Sequence, residues 1–173
     1  MKLFLNILFT ILALALAIWL FLIIREPIKL KAENKVKKNA ITKRLEDVRT
    51  AQFAYKDVKG KYANDWDSLI YVCKYDSISI IKTVGDPDDT TKITSYDTLY
   101  EKIIHKFPEN FHFDSLKFIP YTSGAIFKLE ADVINQRGVD VHVFQVTDTK
   151  PFDPEYPLVL GSMTEVNTSG NWK

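Results

Sequence analysis

The sequence predicts an α+β protein in which one long N-terminal helix, first transmembrane and then amphipathic, packs on a small antiparallel β-sheet. Three observations lead to this prediction. Residues 3–24 form an uncharged apolar run. Apolar residues then recur at helical spacing as far as Gly60. Beyond residue 115, apolar and polar residues alternate between short turns, which is the pattern of antiparallel strands.

The composition fits a folded domain with an appendage. The chain has 173 residues, 46% of them hydrophobic and 26% charged, which excludes a disordered charged polymer. Its one cysteine excludes an internal disulfide and a cysteine-cluster zinc site. The net charge of +1 argues against nucleic-acid binding. We expect three zones, a transmembrane anchor (1–24), a basic helical stalk (25–59) and a globular head (60–173).

The first zone is expected to cross a membrane. Only Asn6 and Thr10 are polar within residues 3–24, and a helix of these 22 residues spans about 33 Å, enough for the hydrocarbon core of a bilayer. The alternative is a cleaved signal peptide, because residues 13–17 place alanine at alternate positions. The apolar run continues well beyond those alanines, so we expect an uncleaved anchor.

The stalk is strongly basic, whereas the head is acidic. Residues 25–59 carry eleven Lys/Arg against five Asp/Glu, and residues 60–173 carry eleven against seventeen. Apolar side chains and one glutamine recur along one helix face of the stalk: Val36, Ala40, Ile41, Leu45, Val48, Gln52 and Tyr55. Gly60 suits the residue after the helix end. The basic face is either simply solvated, in contact with anionic lipid head groups, or in contact with the acidic head of a neighbour.

A short capped helix is expected to open the head. Asn64 or Asp65 suits its N-cap. The apolar residues of this helix share one face: Trp66, Leu69, Ile70 and Cys73. Cys73 is therefore interpreted as a small core residue and not as a nucleophile, because no cysteine–histidine–asparagine motif accompanies it.

The remainder of the head is expected to be mostly β-structure. Its first part holds a strand, a polar loop and a segment that fits either strand or helix: residues 77–84, 85–91 and 96–107. The clearest β region is an antiparallel meander of three strands: residues 116–121, 125–134 and 139–145. In the tail, residues 157–160 suit an edge strand and Trp172 is expected to pack back on the head.

No motif identifies an enzyme, so we expect a non-enzymatic protein without catalytic, cofactor-binding or metal residues. His105, His112 and Asp114 are the first candidates for a metal site. The histidines are seven residues apart, which matches no common ligand pattern, and Pro108 interrupts any helix between them. We expect these three side chains to be solvated or to act as caps.

Two further residue groups are open to a functional interpretation. A Ca²⁺ site is conceivable at three acidic loop residues: Asp86, Asp88 and Asp89. That loop lacks the glycine and the final glutamate of the usual calcium pattern, so an acidic surface turn is the simpler interpretation. Four phenylalanines are expected to form part of the core, the alternative being an exposed patch for a partner: Phe107, Phe111, Phe113 and Phe118.

Residues 49–62 have the sequence Arg-Thr-Ala-Gln-Phe-Ala-Tyr-Lys-Asp-Val-Lys-Gly-Lys-Tyr. This segment resembles the end of the long helix in type IV pilins and pseudopilins. Trp66 and the Leu69-Ile70 pair that follow add to this likeness. Most of the chain also resembles an uncharacterised family of single-pass membrane proteins of Bacteroidota. That likeness rests on five segments: residues 25–29, 44–52, 118–122, 161–165 and 170–172.

The pilin resemblance implies a membrane-anchored subunit or accessory of a bacterial envelope machine, acting by lateral helix packing and head–head contacts. Its partners would be anionic lipid head groups, other envelope proteins or further copies of the chain. The alternative is a membrane-tethered periplasmic module that binds a ligand or lipid. Pilins carry a glycine before their cleavage point and a glutamate five residues after it. The apolar run here contains neither, so neither a cleavage site nor an intramembrane carboxylate is carried over.

The expected location is the inner membrane with the head in the periplasm, as the pilin resemblance implies. The charges beside the apolar run favour the opposite orientation. Eight Lys/Arg lie in residues 25–44, and by the positive-inside rule such a segment stays in the cytoplasm.

Overall fold

The computed structural model describes the backbone of residues 2–84 and 95–172, and most side chains within those ranges. Their elements are two α-helices, two 3₁₀ turns and five strands: α1 (Lys2–Lys59), α2 (Trp66–Tyr75), β1 (Ser77–Val84), β2 (Ser95–Lys102), 3₁₀ turns (Ile103–Lys106 and Phe113–Ser115), β3 (Lys128–Gln136), β4 (Val139–Thr147) and β5 (Val159–Gly161). A long N-terminal helix followed by small antiparallel sheets confirms the predicted α+β class.

The chain divides into two compact units, residues 1–39 and residues 40–173. The first unit is the N-terminal part of α1. Among the described residues, no helix combines the length and the hydropathy that crossing a membrane requires. The second unit contains the end of α1, all other elements and the hydrophobic core.

Within the second unit, α1 buries the apolar face that the sequence predicts. Ile41, Leu45 and Val48 are buried, as are the residues that continue this face toward the helix end. Val36 also belongs to the predicted face, but it lies in the first unit and is 56% exposed. The helix ends at Lys59, and Gly60 takes a positive φ of 74° while its N–H donates to the Lys56 carbonyl at 2.8 Å. The predicted glycine stop is therefore confirmed.

Helix α2 also follows the prediction. Its N-cap is Asp65, whose carboxylate accepts a hydrogen bond from the Ser68 N–H at 2.9 Å. Leu69, Ile70 and Cys73 are buried on one face of the helix, and the flanking Trp66 packs against the core. The helix thus presents its apolar face to α1 and the sheet, because these residues belong to the same core cluster.

A two-stranded antiparallel hairpin, β1–β2, follows α2. The register runs from Ser77 opposite Lys102 to Val84 opposite Ser95, which confirms the strand predicted at residues 77–84. The segment 96–107, which fitted strand or helix, is mostly strand and then a 3₁₀ turn. The predicted polar loop at residues 85–91 lies outside the described residues.

The second sheet has the strand order β3–β4–β5, with both pairs antiparallel. The β3–β4 hairpin was predicted, and its turn is stabilised by the Asn135 side chain, which accepts a hydrogen bond from the Gly138 N–H at 3.1 Å. Arg137 and Gly138 both have positive φ, as a two-residue hairpin turn requires. The third strand is β5, which overlaps the edge strand expected in the tail.

The strand predicted at residues 116–121 is wrong. This segment meets the next one through a single bridge, Phe118 to Ile126, flanked by two backbone hydrogen bonds. Pro120 has no N–H to continue the ladder, and Tyr121 takes a positive φ of 61°, which turns the chain away. The chain therefore makes the predicted reversal, but without a strand on its first side.

The core of the second unit lies between the end of α1, α2 and the β3–β5 sheet. Phe127 and Phe144 are its largest fully buried side chains. The Tyr62 ring packs on the Phe144 ring with centroids 4.6 Å apart, which joins the segment after α1 to the middle of β4. Trp172 packs against this core, as predicted.

Candidate functional site

The first feature with a functional meaning is the apolar helical segment of the first unit. Every side chain of residues 6–21 is exposed. The large apolar residues of this segment are between 51% exposed, at Ile7, and 64% exposed, at Leu14. Soluble monomers rarely expose contiguous apolar surface on this scale, and a helix that is apolar on all sides belongs in an apolar environment.

The polar groups of this segment are few, and one of them is satisfied within the helix. The Thr10 hydroxyl donates a hydrogen bond to the Ile7 carbonyl at 2.8 Å, one turn earlier. A hydroxyl bonded in this way needs no partner from its surroundings. Asn6 is the only other polar side chain in residues 6–21, and it lies at the start of the segment.

A basic segment follows farther along α1. We define it as residues 31–38, in which Lys31, Lys35 and Lys38 are exposed and Lys37 is half-buried. Glu33 is the only acidic residue in this segment. The spacing of four and then three residues places the three exposed lysines on one side of the helix. The basic segment thus carries a concentrated positive charge beside the apolar run.

Farther along α1, Arg44 contacts Ser115 in the second unit, and its role is structural. Its guanidinium donates to the Ser115 carbonyl and, at 2.6 Å, to the Ser115 hydroxyl. Partial burial lowers the pKa of Arg44, an effect that neighbouring Asp47 opposes. Partial burial has the opposite effect on the carboxyl of Asp47, because it raises the pKa of that group. The neighbouring charge of Arg44 opposes this rise. Both groups therefore belong to the helix-to-core contact and not to the basic segment.

A polar cleft of about 370 Å³ lies in the second unit, beside the middle of β3 and β4. Its polar lining comes from the exit of α1, the start of α2 and the sheet: Tyr55, Lys61, Asn64, Ser68, Asp132 and His142. One wall is fixed by Tyr62, whose ring lies in the core while the Lys56 ammonium sits 4.7 Å from its centroid. A cleft of this volume with convergent polar groups suits a small polar ligand.

The residues considered for a metal site do not come together. His105 and His112 are exposed. Asp114 binds Lys74 with both carboxylate oxygens, at 2.8 and 2.9 Å, and this hydrogen bonding lowers the pKa of Asp114. In the part of the chain that the structure describes, no group of three His, Cys, Asp or Glu side chains is placed to hold a metal ion. The loop aspartates 86, 88 and 89 lie outside that part.

Cys73 and the phenylalanines occupy the core, with one exception. Cys73 is fully buried, and this burial raises the pKa of its thiol to about 12. Phe107, Phe111 and Phe113 pack on one another with ring centroids about 5 Å apart. Phe118 was expected in the core but is 39% exposed, because it stands on the irregular segment that forms only one bridge.

Two polar residues are buried, although their burial was not predicted from the sequence. Gln52 is fully buried and exchanges two hydrogen bonds with the backbone of Ala63. Its place among apolar residues on the α1 face was a usable signal. Asp148 is 2% exposed, and one of its carboxylate oxygens has no hydrogen-bond partner. Nothing in the sequence around Asp148 marks it, because its burial depends on chain segments distant in sequence.

Comparison with known proteins yields no match, whether with protein-family models, with curated proteins or with solved structures. The structure itself defines an α+β protein with a long N-terminal helix and small antiparallel sheets. Any functional assignment therefore depends on the exposed apolar segment, the basic segment and the cleft.

Proposed function

We propose that this chain is a non-enzymatic, membrane-anchored subunit or accessory of a bacterial envelope assembly, with a pilin-like arrangement of anchor, basic stalk and head. In this proposal residues 1–24 lie in the inner membrane and residues 60–173 form a periplasmic head. The observation that carries the proposal is the exposure of all side chains in residues 6–21, fourteen of which are apolar. Such a surface is stable only where lipid or other apolar helices cover it.

The action of such a subunit would be lateral association. Apolar helices pack against one another in the bilayer by close contact of their side chains, and small residues favour that approach. Ala13 and Ala17 are four residues apart, so they place such small residues on one face of the apolar segment. The heads then come into contact because their anchors share one plane. No catalytic group is needed for this function.

Crosslinking in native membranes tests lateral association. An amine-reactive crosslinker added to intact membranes should give a ladder of multimers on a denaturing gel. Detergent solubilisation before crosslinking should remove the ladder, because the anchors would then be diluted into separate micelles. A single monomer band in native membranes would contradict lateral association. A reporter enzyme that is active only in the periplasm, fused after Lys173, tests the orientation independently.

A second function is favoured by the polar cleft. We infer as the alternative that the head binds a small polar ligand while the anchor holds it near the membrane. The cleft supports this alternative because six polar side chains converge on about 370 Å³. Native mass spectrometry of protein purified from its own membranes would reveal a retained small molecule. Ser68→Trp, which fills the cleft, should release that molecule, whereas Thr98→Trp on exposed β2 should retain it.

A further inference from the structure

We propose that the basic segment, residues 31–38, recognises anionic phospholipid head groups, and that Lys31 and Lys35 contribute most. This inference rests on the proposed membrane anchor and specifies the lipid class beside it. Lys31 and Lys35 are exposed and lie one turn apart on the same side of α1. They therefore face a single surface together.

The local charge favours an anionic partner. Residues 25–43, which exclude the core-bound Arg44, hold seven Lys/Arg and two acidic residues, Glu26 and Glu33. Each Lys or Arg close to an anionic membrane contributes about 1 kcal/mol, which corresponds to about a fivefold preference. The complementary surface must therefore be rich in negative charge. Phospholipids with a net negative head group, such as phosphatidylglycerol, provide that charge at high density.

The distance along the helix predicts how strongly each lysine should interact with the lipid head groups. Because α1 is continuous, Lys31 lies seven residues beyond Ile24, or about 10 Å along the axis. Lys38 lies about 21 Å beyond the same residue. The field of a charged membrane decays within a Debye length of about 8–10 Å. The lipid interaction should therefore be strongest at Lys31, weaker at Lys35 and weakest at Lys38.

Lysine acetylation rates in nanodiscs test this order. The full chain is placed in nanodiscs of phosphatidylcholine alone or of phosphatidylcholine mixed with phosphatidylglycerol, and each lysine is followed by peptide mass spectrometry. Phosphatidylglycerol should slow the acetylation of Lys31 about fivefold. It should slow the acetylation of Lys35 by a smaller factor and that of Lys38 by the smallest factor. Lys102, exposed in the second unit, should keep its rate. High salt should abolish the protection, because it screens the charges.

Two results would overturn the proposal. The first is equal acetylation of Lys31 in both nanodiscs. The second is slow acetylation of Lys31 that does not depend on lipid composition and appears only with two copies per nanodisc. That result would mean that the basic segment contacts the acidic surface of a neighbouring copy. Failure of the anchor itself would look different, because the protein would not enter nanodiscs of either composition. The lipid preference and the membrane anchor are thus tested separately.

Matched variants supply an independent readout. Lys31→Gln with Lys35→Gln should lower the amount of phosphatidylglycerol that copurifies with the protein from mixed nanodiscs. Lys102→Gln with Lys150→Gln removes the same charge from exposed positions of the second unit and should leave that amount unchanged. All four positions are exposed, so neither variant disturbs the core. Equal lipid retention by the two double variants would contradict the proposal.

Discussion

The side-chain amide of Gln52 holds the backbone of Ala63 through two hydrogen bonds, each 2.9 Å long. Its Nε2 donates to the Ala63 carbonyl, and its Oε1 accepts from the Ala63 N–H. Gln52 is fully buried and Ala63 is 2% exposed. This pair fixes the path of the chain after it leaves α1, and it does so inside the core, where neither backbone group has access to water.

Replacing Gln52 should therefore destabilise the second unit. Gln52→Leu leaves the Ala63 N–H and carbonyl buried without partners, and we expect a loss of about 2–4 kcal/mol. Denaturant unfolding of the full chain in mild detergent, followed by tryptophan fluorescence, measures this loss. Thr50→Ala on the same helix is the control. It removes only a hydroxyl that bonds the Glu46 carbonyl one turn earlier, so it should cost less than about 0.5 kcal/mol. Similar losses for the two variants would contradict the role of Gln52.

Gly161 should tolerate no larger residue. It has a φ of +76°, and a Cβ at this position would lie 2.2 Å from the Phe144 carbonyl oxygen. Gly161→Ala should cost about 3 kcal/mol, since backbone strain and a clash with β4 add together. Gly124 has a φ of +86° but open space around it, so Gly124→Ala should cost only about 1 kcal/mol. The difference between the two unfolding free energies isolates the clash, and equal values would exclude it.

Cys73 should be unreactive in the folded protein. Burial keeps the thiol away from reagents and raises its pKa to about 12, so almost no thiolate forms near neutral pH. A chromogenic disulfide reagent should react with one thiol per chain in denaturant, and far more slowly without it. Fast labelling under native conditions would show that α2 does not bury Cys73 as described.

The stability of the second unit should depend on the charge of Asp148. Burial raises the pKa of Asp148, although its carboxylate accepts a hydrogen bond from the Lys150 N–H. A raised pKa means that the folded chain favours the protonated form of Asp148. The resulting stability of the second unit is fully present below the unfolded-state pKa of about 3.9. It is lost as the pH rises through the folded-state pKa. Asp148→Asn keeps an acceptor for Lys150 without the charge.

We therefore expect Asp148→Asn to be more stable than the natural chain by about 1 kcal/mol near neutral pH. The advantage should shrink as the pH falls through the raised folded-state pKa of Asp148, and it should be gone below about 4, where the carboxyl is protonated in both the folded and the unfolded chain. Thermal unfolding at several pH values measures the difference. A constant difference across this range would mean that the ionisation of Asp148 has no part in stability.

The sequence predicted those elements whose signals are local. The Asp65 cap, the Gly60 stop and the strand at residues 77–84 each depend on a few neighbouring residues, and all three are present. The strand predicted at residues 116–121 failed because Pro120 and the positive φ of Tyr121 outweigh an apolar run.

Features that depend on distant contacts were less predictable. The pairing of β1 with β2 was not foreseen, because residues 95–102 lack the strict alternation that separates strand from helix. The buried state of Asp148 depends on the backbone of Leu158, to whose carbonyl the Asp148 N–H donates at 2.9 Å. For the site, the apolar run and the lysines could be identified in the sequence. The cleft could not, because it needs the relative positions of α1, α2 and the sheet.

Alkaline carbonate extraction of native membranes tests the proposed anchor most directly. This treatment releases peripheral proteins but leaves membrane-spanning proteins in the pellet. Because residues 6–21 expose apolar side chains on every side, we expect the full-length chain to stay in the pellet until detergent is added. Release into the supernatant without detergent, or a mature chain that begins beyond Ile24, would contradict the membrane anchor.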